Sequence, residues 1–558
     1  MSEGALTAIP PRPVRFGILC NGPTLPAWQA RSVEALLRVR AAIPAMLIFP
    51  EKSPTDHPVS RRISGDQILL RAYLGLRPPG ALRRVDMAPV FEKIPSFRCR
   101  EITQEESLQS FDKSDVRNIQ EQHLDFLLQL RFGFLRGDVL NAARYGVWSF
   151  RHSADFPYTD VTPRISPVFD GSLVTAAVLE RVANRPDVGV VLRSGFFRTA
   201  LHSLRQNIDE VCFGSASWPA SVCRDIQSGH TDYLDGPESP APAFEGRTLS
   251  NTQTLRLLAR QTRHAARRAQ RGLTRHEEWC IGIVNAPISA FLDPTREKPV
   301  RWLRPPGDGR FIADPFGARV DHAVQILYED FRYSTSKGLI ATMEATAEGP
   351  PRMPRVAIEL PIPASYPYIV EDRGRIYCVP ETSEAREVSL YRAVEFPMKW
   401  ERVSTLLTGV AALDGTLFRH EGRWWLAHTD RDAGQYVHLF LWHASSLDGP
   451  WEPHPLNPVK SDVRSSRPAG TPFLHEGTLY RPAQDCSRVY GGRIVINRVS
   501  RLTPTEFAEQ PAAVVEPFAK SPFPDGIHTI SRVGDVTLID SKRYRFIPSA
   551  IPYVLRYR

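Results

Sequence analysis

The sequence lacks long hydrophobic runs and cysteine pairs, and each absence excludes a class of protein. No run of about eighteen apolar residues exists, so no transmembrane helix is predicted. The 7 cysteines are scattered, odd in number and without a close C-x-x-C pair, so neither a metal site nor a disulfide framework is predicted. The segment before Cys20 carries a charge early and prolines before its apolar run, unlike a signal peptide. A reducing cytoplasm is the expected location.

The charge balance is only mildly basic. Lys and Arg number 70 and Asp and Glu 61, which gives a net charge of +9 over 558 residues. This charge permits an anionic small ligand, and no nucleic-acid partner is predicted from it. The length is too great for one core and predicts two or three domains.

One pattern returns five times in the C-terminal half. Each copy is an apolar stretch, a polar or Gly-containing turn and an apolar run closed by a polar residue. The copies start at Asp314, Tyr366, Asp414, Gly470 and Asp525, which lie 48 to 56 residues apart. Each is closed 15 residues later, by Glu329, Glu381, Thr429, Asp485 and Asp540.

A period near fifty residues, with two short strands in each unit, is typical of a propeller blade. We therefore predict a five-bladed β-propeller over residues 279–550, with the strand Trp279 to Val284 closing the ring against the last blade. Further β-rich runs, such as the one before Glu395, would supply the outer strands. The alternative is an irregular β-sandwich with accidental spacing.

Residues 14–235 have a different, α/β pattern. The strand-like run Val14 to Gly22, a helical stretch and the apolar run Ala45 to Glu51 predict a Rossmann-like open sheet. The first turn is only N-G-P, so the G-x-G-x-x-G dinucleotide fingerprint is absent. The same pattern resumes at Asp125 and places His152 at the carboxyl end of a strand, where ligands bind in open sheets.

Residues 236–278 read as a linker followed by a basic helix. The helix has arginines at 256, 260, 263, 267 and 271, and small or apolar residues on its other side. The interpretation we favour is a solvated connector, because the helix lacks large anchors such as Trp or Phe. The alternative is docking to an acidic partner or a membrane surface.

The stretches FGFLRGDVLNAARYGVWSFRH and PDVGVVL resemble the formyltransferases that use a formyl-tetrahydrofolate donor. In that family an Asn-x-His pair polarises the formyl carbonyl, and an Asp two residues before a Gly manages the amine protons. The resemblance implies catalytic roles for Ser149, Arg151, His152 and Asp187, and 10-formyltetrahydrofolate as the cofactor. Ser149 and Arg151 are departures from the family's Asn and His, with His152 one position later.

The repeats resemble the five-bladed propellers of furanosidase-type glycoside hydrolases and, more closely, the propeller at the N-terminal side of plant glucosamine inositolphosphorylceramide transferases. The hydrolase likeness implies that Asp314 and Asp414 project into a central funnel as catalytic carboxylates. The proton-donating Glu expected in the fourth blade is replaced at Arg467 or Pro468. A guanidinium cannot donate that proton and suits a phosphate or carboxylate instead.

The predicted substrate-binding residues of the propeller come from all five blades. They are Asp314, Tyr366, Glu381, Asp414, Arg464, Arg467, Arg481, Asp485 and His528. Glu381, Arg481 and Asp485 end second strands, so they can equally be structural pairs between blades.

We expect a transferase of the formyltransferase type acting on an amine, such as an amino sugar or glycan precursor, with the propeller recognising the acceptor. One alternative is a non-catalytic carbohydrate-binding or scaffolding protein. Another is a glycan-processing propeller enzyme in which Glu381 or Asp462 replaces the missing acid. The sequence predicts a small-molecule or glycan acceptor and gives no oligomeric state.

Overall fold

The computed structural model of the chain describes residues 12–51, 65–105, 108–130, 134–151, 165–185, 188–240, 249–307, 309–321, 323–346 and 354–557. The chain divides into two compact units, one ending at His264 and the other beginning at Ala265. Each unit has its own sheets and its own hydrophobic clusters.

The first unit is an α/β structure. Its strands are β1 (Val14–Leu19), β2 (Thr24–Pro26), β3 (Ala42–Pro50), β4 (Arg84–Asp86), β5 (Ser96–Cys99), β6 (Glu101–Glu105), β7 (Leu108–Phe111), β8 (Phe126–Gln129), β9 (Phe134–Leu135), β10 (Val147–Arg151), β11 (Val174–Val182), β12 (Val188–Arg198) and β13 (Ser239–Pro240). Its helices are α1 (Ala27–Leu37), α2 (Ile68–Leu76), α3 (Ala88–Phe91), α4 (Lys113–Gln120), α5 (Ile165–Asp170), α6 (Leu204–Ser215), α7 (Trp218–Ser228) and the start of α8 (Asn251–Thr274).

Eight of these strands form one mixed sheet in the order β13-β12-β11-β10-β8-β1-β3-β5. The pairs from β10 to β5 are parallel, and the pairs from β10 to β13 are antiparallel. The predicted strand, helix and strand at the start of the chain are β1, α1 and β3. The parallel half therefore follows the open sheet expected from the sequence, whereas the antiparallel hairpin of β11 and β12 forms the other half.

Aromatic stacking fills one part of this unit's core. The ring centroids of Phe16 and Phe126 lie 5.4 Å apart, and those of Phe126 and Trp148 lie 3.7 Å apart. These residues come from β1, β8 and β10, and each is fully buried. Side-chain stacking as well as backbone hydrogen bonding therefore stabilises the register of these three parallel strands.

The second unit consists of five small antiparallel sheets. Its strands are β14 (His276–Val284), β15 (Val300–Trp302), β16 (Arg310–Val320), β17 (Ala323–Arg332), β18 (Lys337–Ala345), β19 (Arg355–Ile358), β20 (Ser365–Asp372), β21 (Arg375–Glu381), β22 (Glu387–Glu395), β23 (Lys399–Thr408), β24 (Ala412–His420), β25 (Arg423–Asp430), β26 (His438–Ala444), β27 (Glu452–Pro453), β28 (Lys460–Ser461), β29 (Phe473–His475), β30 (Thr478–Asp485), β31 (Arg493–Leu502), β32 (Phe507–Val515), β33 (Ile530–Val533) and β34 (Val536–Arg545). A short helix, α9 (Ile551–Tyr557), follows.

The predicted five-bladed propeller is confirmed. Blades 1 to 4 run β16–β19, β20–β23, β24–β27 and β29–β32, and blade 5 has the order β33-β34-β14-β15. Each sequence repeat supplies the first two strands of one blade. The ring closes as predicted, because β14 pairs with β34 and Trp279 lies opposite Lys542. The first strands contact each other, β16 with β20 and β33, and β20 with β24, so they are the inner strands.

Among the described residues, no helix is both long enough and apolar enough to cross a membrane.

Candidate functional site

The residues that start the first three repeats share an unusual backbone conformation. The φ angles of Asp314, Tyr366 and Asp414 are 52°, 43° and 52°, in the left-handed region that non-glycine residues rarely adopt. Each lies where the register of an inner strand shifts, in the manner of a β-bulge. A bulge re-aims a side chain, and such strain is concentrated at functional sites. The fourth repeat has Gly470 at this position, with φ 111°.

Asp414 is held by an arginine and an amide from blade 4. Arg467 donates from Nε to Asp414 Oδ2 at 2.6 Å and from Nη2 to Oδ1 at 3.2 Å, and Gln484 Nε2 donates to Oδ2 at 2.7 Å. Both charged side chains are buried. Burial lowers the pKa of Arg467, but the facing Asp414 carboxylate more than reverses this, so the guanidinium remains charged. The expected contact of Arg467 with a phosphate or carboxylate ligand stays a prediction, because this ion pair already balances its charge.

Two aromatic rings border the Arg467 guanidinium. Its centre lies 5.0 Å from the ring centroid of Tyr490 and 5.5 Å from that of Tyr436. Buried cation–π contacts of this kind strengthen the hold on the cation. The arginine is thus held by a carboxylate and by two aromatic rings.

Glu381 is a carboxyl group of the site with a raised pKa. Its Oε2 accepts a hydrogen bond from the backbone N–H of Asp414 at 2.9 Å, which joins the end of blade 2 to the start of blade 3. Burial and the nearby Asp414 carboxylate raise the pKa of Glu381 to about 8, although Arg467 opposes this shift. Burial, followed by Asp314 and Glu381, likewise raises the pKa of Glu329 well above its ordinary value. Near neutral pH, Glu381 can therefore donate a proton.

A second buried group surrounds Asp314 and His528. Asp540 Oδ1 lies 2.7 Å from His528 Nδ1 and also accepts from the backbone N–H groups of His528 and Thr529. Asp540 Oδ2 accepts from the backbone N–H of Asp314 at 2.8 Å, which ties blade 5 to blade 1. The hydroxyl of Thr529 donates to Asp314 Oδ1 at 2.8 Å.

This second group sets the charges of two titratable residues. Burial raises the pKa of Asp314 to about 6, against the opposing effect of His528. Burial lowers the pKa of His528, but Asp540 and Asp314 outweigh it and raise the pKa overall. The indole of Trp279 stacks on the His528 ring at 3.9 Å. We call Asp314, Glu329, Glu381, Asp414, Arg467 and His528 the inner cluster.

Asp314, His528 and Asp540 also have the composition of a metal site. One ligand atom from each lies within 4.8 Å of the others. These atoms already bond to each other or to backbone amides, and both oxygens of Asp540 are used. Hydrogen bonding within the protein is thus sufficient to account for the arrangement.

The other predicted propeller residues are hydrogen-bonded to other parts of the propeller. The hydroxyl of Tyr366 accepts from Gly470 N at 2.7 Å and bonds to Thr416 Oγ1 at 2.9 Å. Arg464 pairs with Asp462, and Asp485 with Arg493. Arg481 bonds to both oxygens of Glu509, where both side chains are buried. Their predicted role in binding a substrate is untested.

In the first unit, Ser149 and Arg151 lie on β10 beside β11. Ser149 is buried opposite Glu180 in the strand register. Arg151 donates from Nε and Nη2 to Glu180 Oε1 at 3.0 and 2.6 Å. Burial raises the pKa of Glu180 despite this arginine. His152 and Asp187, the other two predicted catalytic residues, lie outside the described residues, so their convergence with Ser149 is not tested.

Several residues of the site were missed by the sequence reasoning. The sequence marks Glu329 and Asp540 only as closing residues of repeats and indicates no role for Gln484, Tyr490 and Glu180. In the structure, the closing residues Asp540 and Glu381 each accept a hydrogen bond from the backbone N–H of the starting residue of the next blade around the ring. No periodic signal marks Tyr490 or Gln484.

Comparison with known proteins finds one matching family, described as glucosamine inositolphosphorylceramide transferase 1, N-terminal, over residues 306–521. The Arabidopsis thaliana protein named glucosamine inositolphosphorylceramide transferase 1 is 34% identical over 205 residues, which are 36% of this chain and 27% of that protein. The protein of the same name from Oryza sativa subsp. japonica is 31% identical over 223 residues, 38% of this chain and 30% of that protein. The chain thus spans less than a third of the length of these relatives.

Solved structures with a likeness to the chain include glycoside hydrolases. A family 117 glycoside hydrolase from Zobellia galactanivorans has 16% identity and a TM-score of 0.32, with 48% of this chain and 91% of that chain covered. The catalytic domain of a family 62 α-L-arabinofuranosidase from Coprinopsis cinerea has 14% identity and a TM-score of 0.32. The match covers 40% of this chain and 78% of that domain.

Proposed function

We propose that this chain takes part in the transfer of a sugar, and that the inner cluster of the propeller binds an amino sugar or glycan acceptor. The observation that carries the proposal is that Asp414 of blade 3 lies close to the carboxyl groups of both Asp314 in blade 1 and Glu381 at the end of β21 in blade 2. The match of residues 306–521 to the N-terminal part of a transferase named for glucosamine supports it.

The charges of the inner cluster favour a ligand rich in hydroxyl groups or bearing an amine. Arg467 is neutralised by Asp414, and the raised pKa of Glu381 keeps that side chain uncharged near neutral pH. Asp314 ionises with a pKa of about 6, so its carboxylate can accept a hydrogen bond from a hydroxyl or pair with an ammonium group. The cluster therefore suits an amino sugar better than an acidic one.

The same groups have the properties that glycosyl transfer requires. In that reaction the bond from the anomeric carbon to the leaving oxygen breaks, and a bond to the acceptor hydroxyl oxygen forms. The ionised Asp314 can accept the hydroxyl proton, and the protonated Glu381 can give a proton to the leaving oxygen. The donor is an activated sugar that this reaction must receive from outside the chain.

Calorimetric titration of the whole chain with glucosamine and with glucose tests the proposal. Glucosamine should bind more tightly, and Asp314→Asn should remove this preference. Asp535→Asn is the matched control, because Asp535 is exposed in blade 5. Equal binding of the two sugars would rule out the amine contact, and no binding of either would contradict the proposed site. Binding without release of labelled product from a sugar donor would favour a carbohydrate-binding protein.

We propose formyl transfer by the first unit as a second candidate, with 10-formyltetrahydrofolate as donor in the cytoplasm. It is supported by the order of β10 and the following hairpin of β11 and β12, in which Gly189 pairs with Val182. A Cβ at Gly189 would lie 2.9 Å from Glu180 Oε2, so this glycine lies against the carboxylate that pairs with Arg151. A titration with 5-formyltetrahydrofolate as a stable analogue tests this candidate. No binding would exclude it, and binding lost in Ser149→Ala would support it.

A further inference from the structure

Helix α8 has a charge pattern that the proposed function does not explain. Its 24 residues contain six arginines, at 256, 260, 263, 267, 268 and 271, and no Asp or Glu. Arginines three and four residues apart repel each other on a helix surface. An anionic partner would reduce this repulsion.

The arginines follow one face of α8. Five of them, at 256, 260, 263, 267 and 271, repeat every three or four residues, which is the period of one helix face. The residues buried in the helix, Thr254, Leu257 and Gln261, lie on a different face and belong to its first half. From Ala265 to Arg271 every residue is exposed. The second half of α8 therefore presents its arginines to solvent.

Exposed apolar side chains lie beside this second half. Leu273 is 43% exposed, Phe546 56% and Leu555 73%. Each is next to a contact at the end of α8. A Cβ on Gly272 would lie 3.3 Å from Val554 Cγ1, so α9 packs on the end of α8, and the Phe546 ring lies 6.0 Å from that of His276, two residues after α8 ends. We call Arg267, Arg268, Arg271, Leu273, Phe546 and Leu555 the α8–α9 surface.

The chemistry of the α8–α9 surface matches the interface of an anionic lipid membrane. Arginines bind lipid phosphates and carboxylates, while Leu and Phe side chains enter the boundary between headgroups and acyl chains. A nucleic acid would use the arginines but would leave the two leucines without a role. The anchors that the sequence of α8 lacks are supplied by residues about 280 positions later in the chain.

We propose that the α8–α9 surface binds the second unit to a membrane that contains anionic lipids. The three arginines supply electrostatic attraction, and Leu273, Phe546 and Leu555 insert at the interface. The binding is reversible and sensitive to salt, because it rests on exposed charges and a small apolar area. It does not depend on the sugar site, which lies on the inner strands.

Sedimentation of the whole chain with vesicles tests this proposal. One set is phosphatidylcholine alone, and the other contains about 30% phosphatidylserine. We expect binding only to the anionic set at about 0.1 M salt, and release at about 1 M salt. The triple variant Arg267→Gln, Arg268→Gln, Arg271→Gln should reduce partitioning by roughly 100-fold. The pair Leu273→Ser and Leu555→Ser should reduce it by roughly 10-fold.

A matched control separates this surface from the general basic charge. Arg355→Gln, Arg373→Gln and Arg498→Gln remove the same charge from exposed positions on blades 1, 2 and 4, and should leave most of the binding. An equal loss in this control would overturn the proposal. Failure of the native chain to bind anionic vesicles would also overturn it. A third contrary result would be binding to a single-stranded RNA that is lost in the arginine variant, if Leu273→Ser and Leu555→Ser changed the affinity neither for RNA nor for vesicles.

Discussion

Asp414 and Arg467 form a buried ion pair with two hydrogen bonds, at 2.6 and 3.2 Å, between blades 3 and 4 of the propeller. Both side chains are buried, and each charge compensates the other. The Asp414 backbone N–H donates to Glu381 Oε2, so the carboxyl group of Glu381 lies beside this ion pair.

Removing Arg467 should destabilise the protein strongly. Arg467→Ala leaves the Asp414 carboxylate buried without its charged partner, and we expect a loss of about 3–5 kcal/mol in the free energy of unfolding. Urea denaturation measures it. The double variant Arg467→Ala, Asp414→Ala should lose less than the sum of the single variants by about 1–3 kcal/mol. Strict additivity would mean that the ion pair contributes nothing.

Arg481 should be structural and not part of ligand binding. Its guanidinium bonds to Glu509 inside blade 4, and Lys460 bonds to the same carboxylate at 2.7 Å. Burial raises the pKa of Glu509, but Arg481 and Lys460 outweigh it and lower the pKa overall. Arg481→Ala should cost about 3–5 kcal/mol of stability, while the affinity of the folded fraction for glucosamine stays the same. A loss of affinity without a loss of stability would place Arg481 at the ligand instead.

The sequence was sufficient to predict the blades but not the contacts between them. The repeats predicted the starting residues, and the run Trp279 to Val284 was predicted as the strand that closes the ring with the last blade. The pairing of Asp414 with Arg467 joins residues 53 positions apart through the ring geometry, which no local pattern encodes. Tyr490 and Trp279 reach the site from a loop and from blade 5, so only the folded chain brings them to Arg467 and His528.

Gly470 should tolerate no side chain. Its φ angle is 111°, and a Cβ would lie 1.7 Å from the carbonyl oxygen of Ile530 in blade 5. Gly470→Ala must displace backbone, so we expect a loss above about 3 kcal/mol. Gly422→Ala is the control, because Gly422 also has a positive φ, 79°, with no atom within 4 Å of an added Cβ. It should cost about 1 kcal/mol, measured by thermal denaturation. Similar costs for the two variants would show that blades 4 and 5 are less closely packed here.

Glu381 should make the propeller less stable as the pH rises. The folded protein holds this proton up to a pKa of about 8, whereas the ordinary pKa of 4.5 applies after unfolding. The stabilisation is therefore complete below about pH 4.5 and is lost as the pH rises toward 8. Asp314 also lowers the stability as the pH rises, but its pKa of about 6 confines this effect to lower pH.

Glu381→Gln replaces the protonated carboxyl group by an amide that cannot ionise and still accepts the Asp414 N–H. Between about pH 6 and pH 8 the native chain should lose up to about 3 kcal/mol in the free energy of unfolding. The variant should not show this loss. Urea midpoints at several pH values measure the difference. Glu476→Gln, at a carboxyl group that is 86% exposed, should follow the native curve. Parallel curves for Glu381→Gln and the native chain would mean that Glu381 is ionised in the folded protein, and it could not then serve as the proton donor in sugar transfer.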